Sequence, residues 1–124
     1  MFRDPSQLQV HQLADELALA LVRALAGGPL SPIGCTLASA AIRPALRIQE
    51  ACRRPGRSGF SEGLAKAAEA AQELHYLCGL AARSGLVPAG PEDQALHLVK
   101  ALMRLRKVQK EREVGMPAAE PLPA

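Results

Sequence analysis

Apolar residues recur every three or four positions along most of the chain, the spacing that lays one hydrophobic stripe along a helix. Ile33, Leu37, Ala41, Ala45, Ile48 and Cys52 form one series. Leu64, Ala67, Ala71, Leu74, Cys78 and Ala81 form another beyond the arginine-rich bend Arg53-Arg54-Pro55-Gly56-Arg57. Two stripes joined by a short bend predict an antiparallel helical hairpin. Leu8, Leu13, Leu17, Leu21 and Leu25 predict a helix before it, and Leu96, Val99, Leu102, Met103 and Leu105 predict one after it.

The punctuation agrees with four helices. Asp4-Pro5-Ser6-Gln7 opens the first, with Asp4 as cap, Pro5 at the first helical position and Gln7 completing a capping-box-like arrangement. Gly27-Gly28-Pro29 stops it, and Ser31-Pro32 starts the second in the same way. Pro44 lies inside the second helix; it removes a hydrogen bond and crowds the Ala40 carbonyl, so a kink or a break into two segments is expected. The third helix is expected to start near Ser58 to Ser61, with Glu62 in its first turn, and to end at Arg83-Ser84-Gly85. Pro91-Glu92-Asp93 gives the fourth a proline and two acids at the positive end of its dipole. Short connections between four helices predict an all-α, antiparallel up-down-up-down four-helix bundle over residues 1–114. Residues 115–124, with three prolines and little to pack, are expected to form a disordered tail.

Composition sharpens this picture. At 124 residues the chain is one domain, and it has no Trp, one Tyr and two Phe. Its apolar share of 48% is carried by Ala and Leu, which favour helix over strand. Alanine lets helices approach closely but buries little area, and at roughly 25 cal/mol per Å² such a core gains from a partner chain. Oligomerisation is therefore expected. Cys35, Cys52 and Cys78 all fall on apolar faces, an odd count that reads as small buried thiols in a reducing compartment rather than a disulfide framework. No run is long and apolar enough for a membrane span, and the first residues lack a signal-peptide pattern, so a cytoplasmic protein is expected.

Candidate chemistry is sparse. Di-metal bundle enzymes use Glu-x-x-His pairs, because a carboxylate bridges the metals while the imidazole binds terminally. This chain has Gln72-x-x-His75 and Gln94-x-x-His97, and an amide lacks the bridging charge. His75 and Cys78, with Glu50 and Glu73 and more distant His11, Cys35 and Cys52, are the residues of the alternative reading as a metal-binding bundle. There is no glycine-rich elbow or phosphate loop, so neither an enzyme nor a cofactor is expected. Glu50 and Glu73 read as structural partners of Arg47, Arg53 or Arg54.

Two basic clusters carry more. Arg43, Arg47, Arg53, Arg54 and Arg57 crowd the second helix and its bend; Lys100, Arg104, Arg106, Lys107, Lys110 and Arg112 crowd the last, against Glu111 and Glu113. The net charge of +3 is mild, and a charged helix face is most often simply solvated. Two cation-rich patches on one small domain can nevertheless hold phosphates. With almost no aromatics to stack bases, such binding would be directed at the backbone and weakly sequence-specific.

Several short patterns in order carry a resemblance. Leu8-x-Val10 precedes Gln12-x-Ala14-x-x-Leu17; Ile48-Gln49-Glu50-Ala51 precedes Arg53-Arg54; and Phe60, Ala67, Glu73-Leu74 and Gly85-Leu86 follow. Over residues 2–112 these resemble the bacterial four-helix-bundle family of proteins encoded in intervening sequences of 23S ribosomal RNA genes. That family also includes the accessory variability proteins of diversity-generating retroelements. The chain departs from the family pattern at His11, Arg47 and Ala51, and at Ala38 and Ser39, where paired arginines would fall. The resemblance implies a barrel-like homo-oligomer, a pentamer, of bundles packed side by side. It also implies binding of a reverse transcriptase and of RNA or DNA through a basic surface. A purely structural oligomer with an unknown protein partner is a further alternative.

Overall fold

The computed structural model describes residues 4–28 and 31–119, with side chains up to residue 111 except that of Ser6. A 3-10 turn, Pro5–Gln7, precedes α1 (Gln9–Ala26), α2 (Pro32–Ala41), α3 (Arg43–Arg53), α4 (Gly56–Arg83) and α5 (Gly90–Ala119). α2 and α3 form one broken arm, so the architecture is an antiparallel up-down-up-down four-helix bundle, all-α among the described residues. α4 is the spine, packed most extensively against α5 and α3.

The break in the second arm follows from Pro44, which is fully buried in the first turn of α3. It offers no N–H to Ala40, and the chain bends at Ile42 (φ −89°, ψ −14°) before Leu46 N–H donates to the Ile42 carbonyl at 3.2 Å. Ser31 caps α2 as expected, accepting from Gly34 N–H at 3.0 Å. The end of α4 is also as expected: Gly85 takes φ +82°, and Leu86 N–H reaches back to the Ala81 carbonyl at 2.9 Å.

Other boundaries differ. Pro5 to Gln7 form a separate 3-10 turn rather than the opening of α1, whose N-cap position is Leu8 and carries no side-chain cap. α4 begins at Gly56, not at Ser58 to Ser61. Pro55 holds Arg54 in an extended conformation, which ends α3, and Gly56 at φ +74° completes the reversal at once. Ser61 consequently lies buried within α4. α5 continues to Ala119, past Gly115; one glycine lowers helix propensity by about 1 kcal/mol without forbidding the conformation. Pro29 and residues 120–124 of the expected tail lie outside the described residues.

The core follows the stripes on the central hairpin. Leu37, Ile48, Cys52, Leu64, Ala67, Ala71, Leu74, Cys78 and Ala81 are all fully buried, and Leu17 and Leu21 join them from α1. The phase of α5 is different from expectation. Its buried stripe is Ala95, Leu98, Val99 and Leu102, whereas Leu96 is 37% and Met103 50% exposed. α5 is apolar on two sides at this level, and the side facing α4 and α1 is the one set by Leu98. Cys35 is likewise exposed, one step off the stripe of Gly34 and Leu37.

The tightest helix approach is between α3 and α4. A Cβ on Gly63 would sit 2.5 Å from Ala51 Cβ and 2.6 Å from its Cα. Replacing glycine by alanine inside a helix ordinarily gains up to about 1 kcal/mol. Here the methyl must push one backbone away from the other, and overpacking costs about 1–3 kcal/mol. Gly63→Ala should therefore lower the unfolding free energy in urea titration; an increase would show that α3 and α4 do not meet at this point.

Candidate functional site

The basic residues fall into two settings. On the outer face of the α3–α4 pair, Arg43, Arg47, Lys66, Glu50, Glu69 and Glu73 line an open groove of about 670 Å³. Arg43 Nη1 donates to Glu73 Oε1 at 2.6 Å, and its Nη2 lies 3.5 Å from Ser39 Oγ. Arg47 Nη1 reaches both carboxylate oxygens of Glu50, at 3.2 and 3.3 Å. These pairs are roughly half-exposed and worth about 0–1 kcal/mol each. Their electrostatic effect is larger than their energy: three cations face three carboxylates, so the groove has no surplus positive charge. The expected partnership of Glu50 with Arg47 is present, and Glu73 is held by Arg43.

Apart from Arg23 and Arg83, in the last turns of α1 and α4 at the opposite end, the remaining described cations gather toward one end of the bundle. Antiparallel topology places the α3–α4 bend, the start of α1 and the second half of α5 at that end. Arg53 is exposed at the bend, with Arg54 and Arg57 half-buried beside it. A Cβ on Gly59 would lie 3.1 Å from Arg54 Cβ, so the arginine stem rests on the first turn of α4. On α5, Arg104 faces the start of α1 across a groove it shares with Gln7, Val10, Leu105 and Val108. Arg106, Lys107 and Lys110 lie together elsewhere on α5, around an open pocket with Met103 and Glu111. Lys100 is exposed one to two turns nearer the middle. The Arg112 side chain lies outside the described residues.

The residues of the metal alternative are not brought together. Cys78 is fully buried, His75 half-buried, and Glu50 and Glu73 open on the α3–α4 groove already occupied by arginine. His11 Nε2 lies 3.1 Å from Gln49 Nε2, tying α1 to α3. His97 is exposed beside Leu13, Glu16, Asp93 and Gln94. Among the described residues no three His, Cys, Asp or Glu side chains converge in a way that could hold a metal ion. No helix among them is long and apolar enough to cross a membrane.

Cys78 has a perturbed thiol. Burial, reinforced by the Glu92 carboxylate, pushes its pKa from 9.0 up to about 11. Glu92 belongs to the first turn of α5, which approaches α4 closely: a Cβ on Gly79 would sit 2.8 Å from Glu92 Oε2. Such a thiol is a packing group, not a nucleophile.

Neither family models, curated proteins nor solved structures give a match to this chain. Lys66 and Glu69 are the groove residues that sequence reasoning missed. Their signal is the i, i+3, i+7 spacing of Lys66, Glu69 and Glu73 on the face of α4 opposite its core stripe.

The thiols offer a direct check. In native protein Cys35 should react rapidly with a disulfide reagent, while Cys52 and Cys78 react only on unfolding. Because the folded-state pKa of Cys78 is raised, its neutral thiol adds stability below about pH 9, and this is lost as pH rises toward 11. Rapid reaction of all three thiols in native protein would contradict this packing.

Proposed function

We propose that the protein is a non-enzymatic, oligomeric four-helix-bundle scaffold that holds nucleic acid by its phosphate backbone at the basic end. The carrying observation is the asymmetry of the cations. Arg43 and Arg47 are neutralised in the α3–α4 groove, whereas the bend and the second half of α5 gather Arg53, Arg54, Arg104, Arg106, Lys107 and Lys110 at one end. Arg57, which makes its own contact within the chain, lies beside them, and only Arg23 and Arg83 of the described helix-end cations lie at the other end. Guanidinium and ammonium groups grouped in this way suit phosphates, and the lack of aromatics favours binding that ignores base identity. Self-assembly is supported by large apolar side chains left open: Ile42 and Leu46 on the second arm, Tyr76 on α4 and Leu96 on α5. The resemblance to accessory variability proteins supports a ring of such bundles, a pentamer, with a reverse transcriptase as protein partner.

Converting Arg53, Arg54 and Arg57 to Gln tests this reading. Glutamine keeps part of each stem, and the melting temperature of each single variant separates the packing of Arg54 and the contact of Arg57 from their charge. Affinity for nucleic acid should fall, and the slope of log K against log salt should flatten by about 2–3, at roughly 0.7–0.9 for each phosphate no longer neutralised. Unchanged binding and slope would leave these arginines as ordinary solvated side chains.

A further inference from the structure

Position 106 follows Val99 by seven residues and Leu102 by four, so it continues the buried stripe of α5 beyond its apolar part. An arginine there carries its charge partly under cover. Its Nε is shut off from solvent and has no hydrogen-bond partner among the described residues. A guanidinium does not give up its proton in proteins, so that N–H is a permanent donor without an acceptor among the described residues. Such groups are uncommon in folded proteins, because an unpartnered buried donor is destabilising and one attached to a charge more so. The same side chain lines an open pocket of about 390 Å³, with Met103 as its apolar wall and Lys107, Lys110 and Glu111 at its edges. A covered donor, two exposed ammonium groups and a thioether wall, opposed by one carboxylate, match an anion with apolar parts attached.

We propose that this pocket holds one phosphodiester of a single-stranded nucleic acid, with Arg106 as its anchor. The inference rests on the reading of the basic end as a nucleic-acid surface and narrows it to one phosphate. On binding, the Arg106 side chain turns into the open pocket, so that its Nε, covered in the free protein, and its Nη groups donate together to the phosphate oxygens. Lys107 and Lys110, spread over roughly 4–5 Å of helix rise, neutralise the neighbouring phosphates along the strand. Met103 packs against the sugar or base that an unpaired strand leaves open. A duplex buries that apolar surface in its own stack, which is why a single strand is the better fit.

The anchor has a signature that a structural arginine would not show: removing it weakens binding and strengthens the fold. Arg106→Met keeps the aliphatic stem and deletes the unpartnered charge. Anisotropy titrations of labelled oligothymidylate across a salt series should show Arg106→Met and Arg106→Gln binding about tenfold more weakly, the drop expected for one charge-assisted hydrogen-bonded pair. Their salt slopes should be smaller by about 0.7. The melting temperature of Arg106→Met should equal or exceed that of the unaltered protein. Unchanged affinity and slope, or a clear drop in melting temperature, would overturn the anchor role. Competition by poly-glutamate as effective as by oligothymidylate, or stabilisation by inorganic phosphate without oligonucleotide binding, would overturn the phosphodiester. If the unaltered protein binds no oligothymidylate, the reading of the basic end falls too. If the bend arginines matter and Arg106 does not, only the anchor falls.

Discussion

The rest of this fold depends on the approach of Ala51 to Gly63, where the α3 and α4 backbones meet with no room for a further methyl group. Cores built on alanine gain little from each side chain and must recover it through close backbone packing. Ala67, Ala71 and Ala81 on α4, Ala40 and Ala41 on α2 and Ala95 on α5 repeat the same logic around the spine. The close approach also fixes the register of the hairpin. It is this register that sets Arg43 opposite Glu73 and opens the charge-balanced groove on the outer face. The break at Pro44 serves the same end, because it lets one arm follow α4 in two straight segments instead of a single bowed one.

Topology then decides where charge accumulates. An antiparallel bundle returns the chain to the same end at alternate connections, so the Arg53–Arg57 bend and the second half of α5 lie at one end although about fifty residues separate them. The opposite end carries Glu92 and Asp93 at the start of α5. Within the basic end the cations are not equivalent. Arg53, Lys107 and Lys110 are solvated point charges, whereas Arg106 is partly covered with an unpartnered Nε. Burial turns an ordinary surface charge into a position where folding and binding oppose each other.

Much of the fold is legible in the residues themselves, because helix stripes and caps are local. The Leu64 to Ala81 series is buried throughout, and Ser31 and Gly85 act as cap and stop. What is not legible depends on neighbours. Leu96 and Met103 look like core positions because α5 is apolar on two sides, and only the packed α4 and α1 select between them. The start of α4 is misread because Pro55 and Gly56 reverse the chain directly after Arg54, so that the helix already includes Gly56 and Arg57. Arg43 reads as a free cation, since its partner Glu73 is chosen by interhelix register, which a linear pattern does not encode, whereas the Arg47–Glu50 pair at i, i+3 is legible. The covered Nε of Arg106 is hidden for the same reason.

The function we propose is that of a self-assembling bundle that holds nucleic acid on the basic side chains at one end. Native mass spectrometry of the untagged protein at low and high salt tests it most directly, since subunit number and co-purified nucleic acid are read together. The expected result is a multi-subunit mass, five chains if the ring is a pentamer, carrying nucleic acid at low salt and releasing it at high salt. A nucleic-acid-free monomer whose mass is indifferent to salt would contradict it.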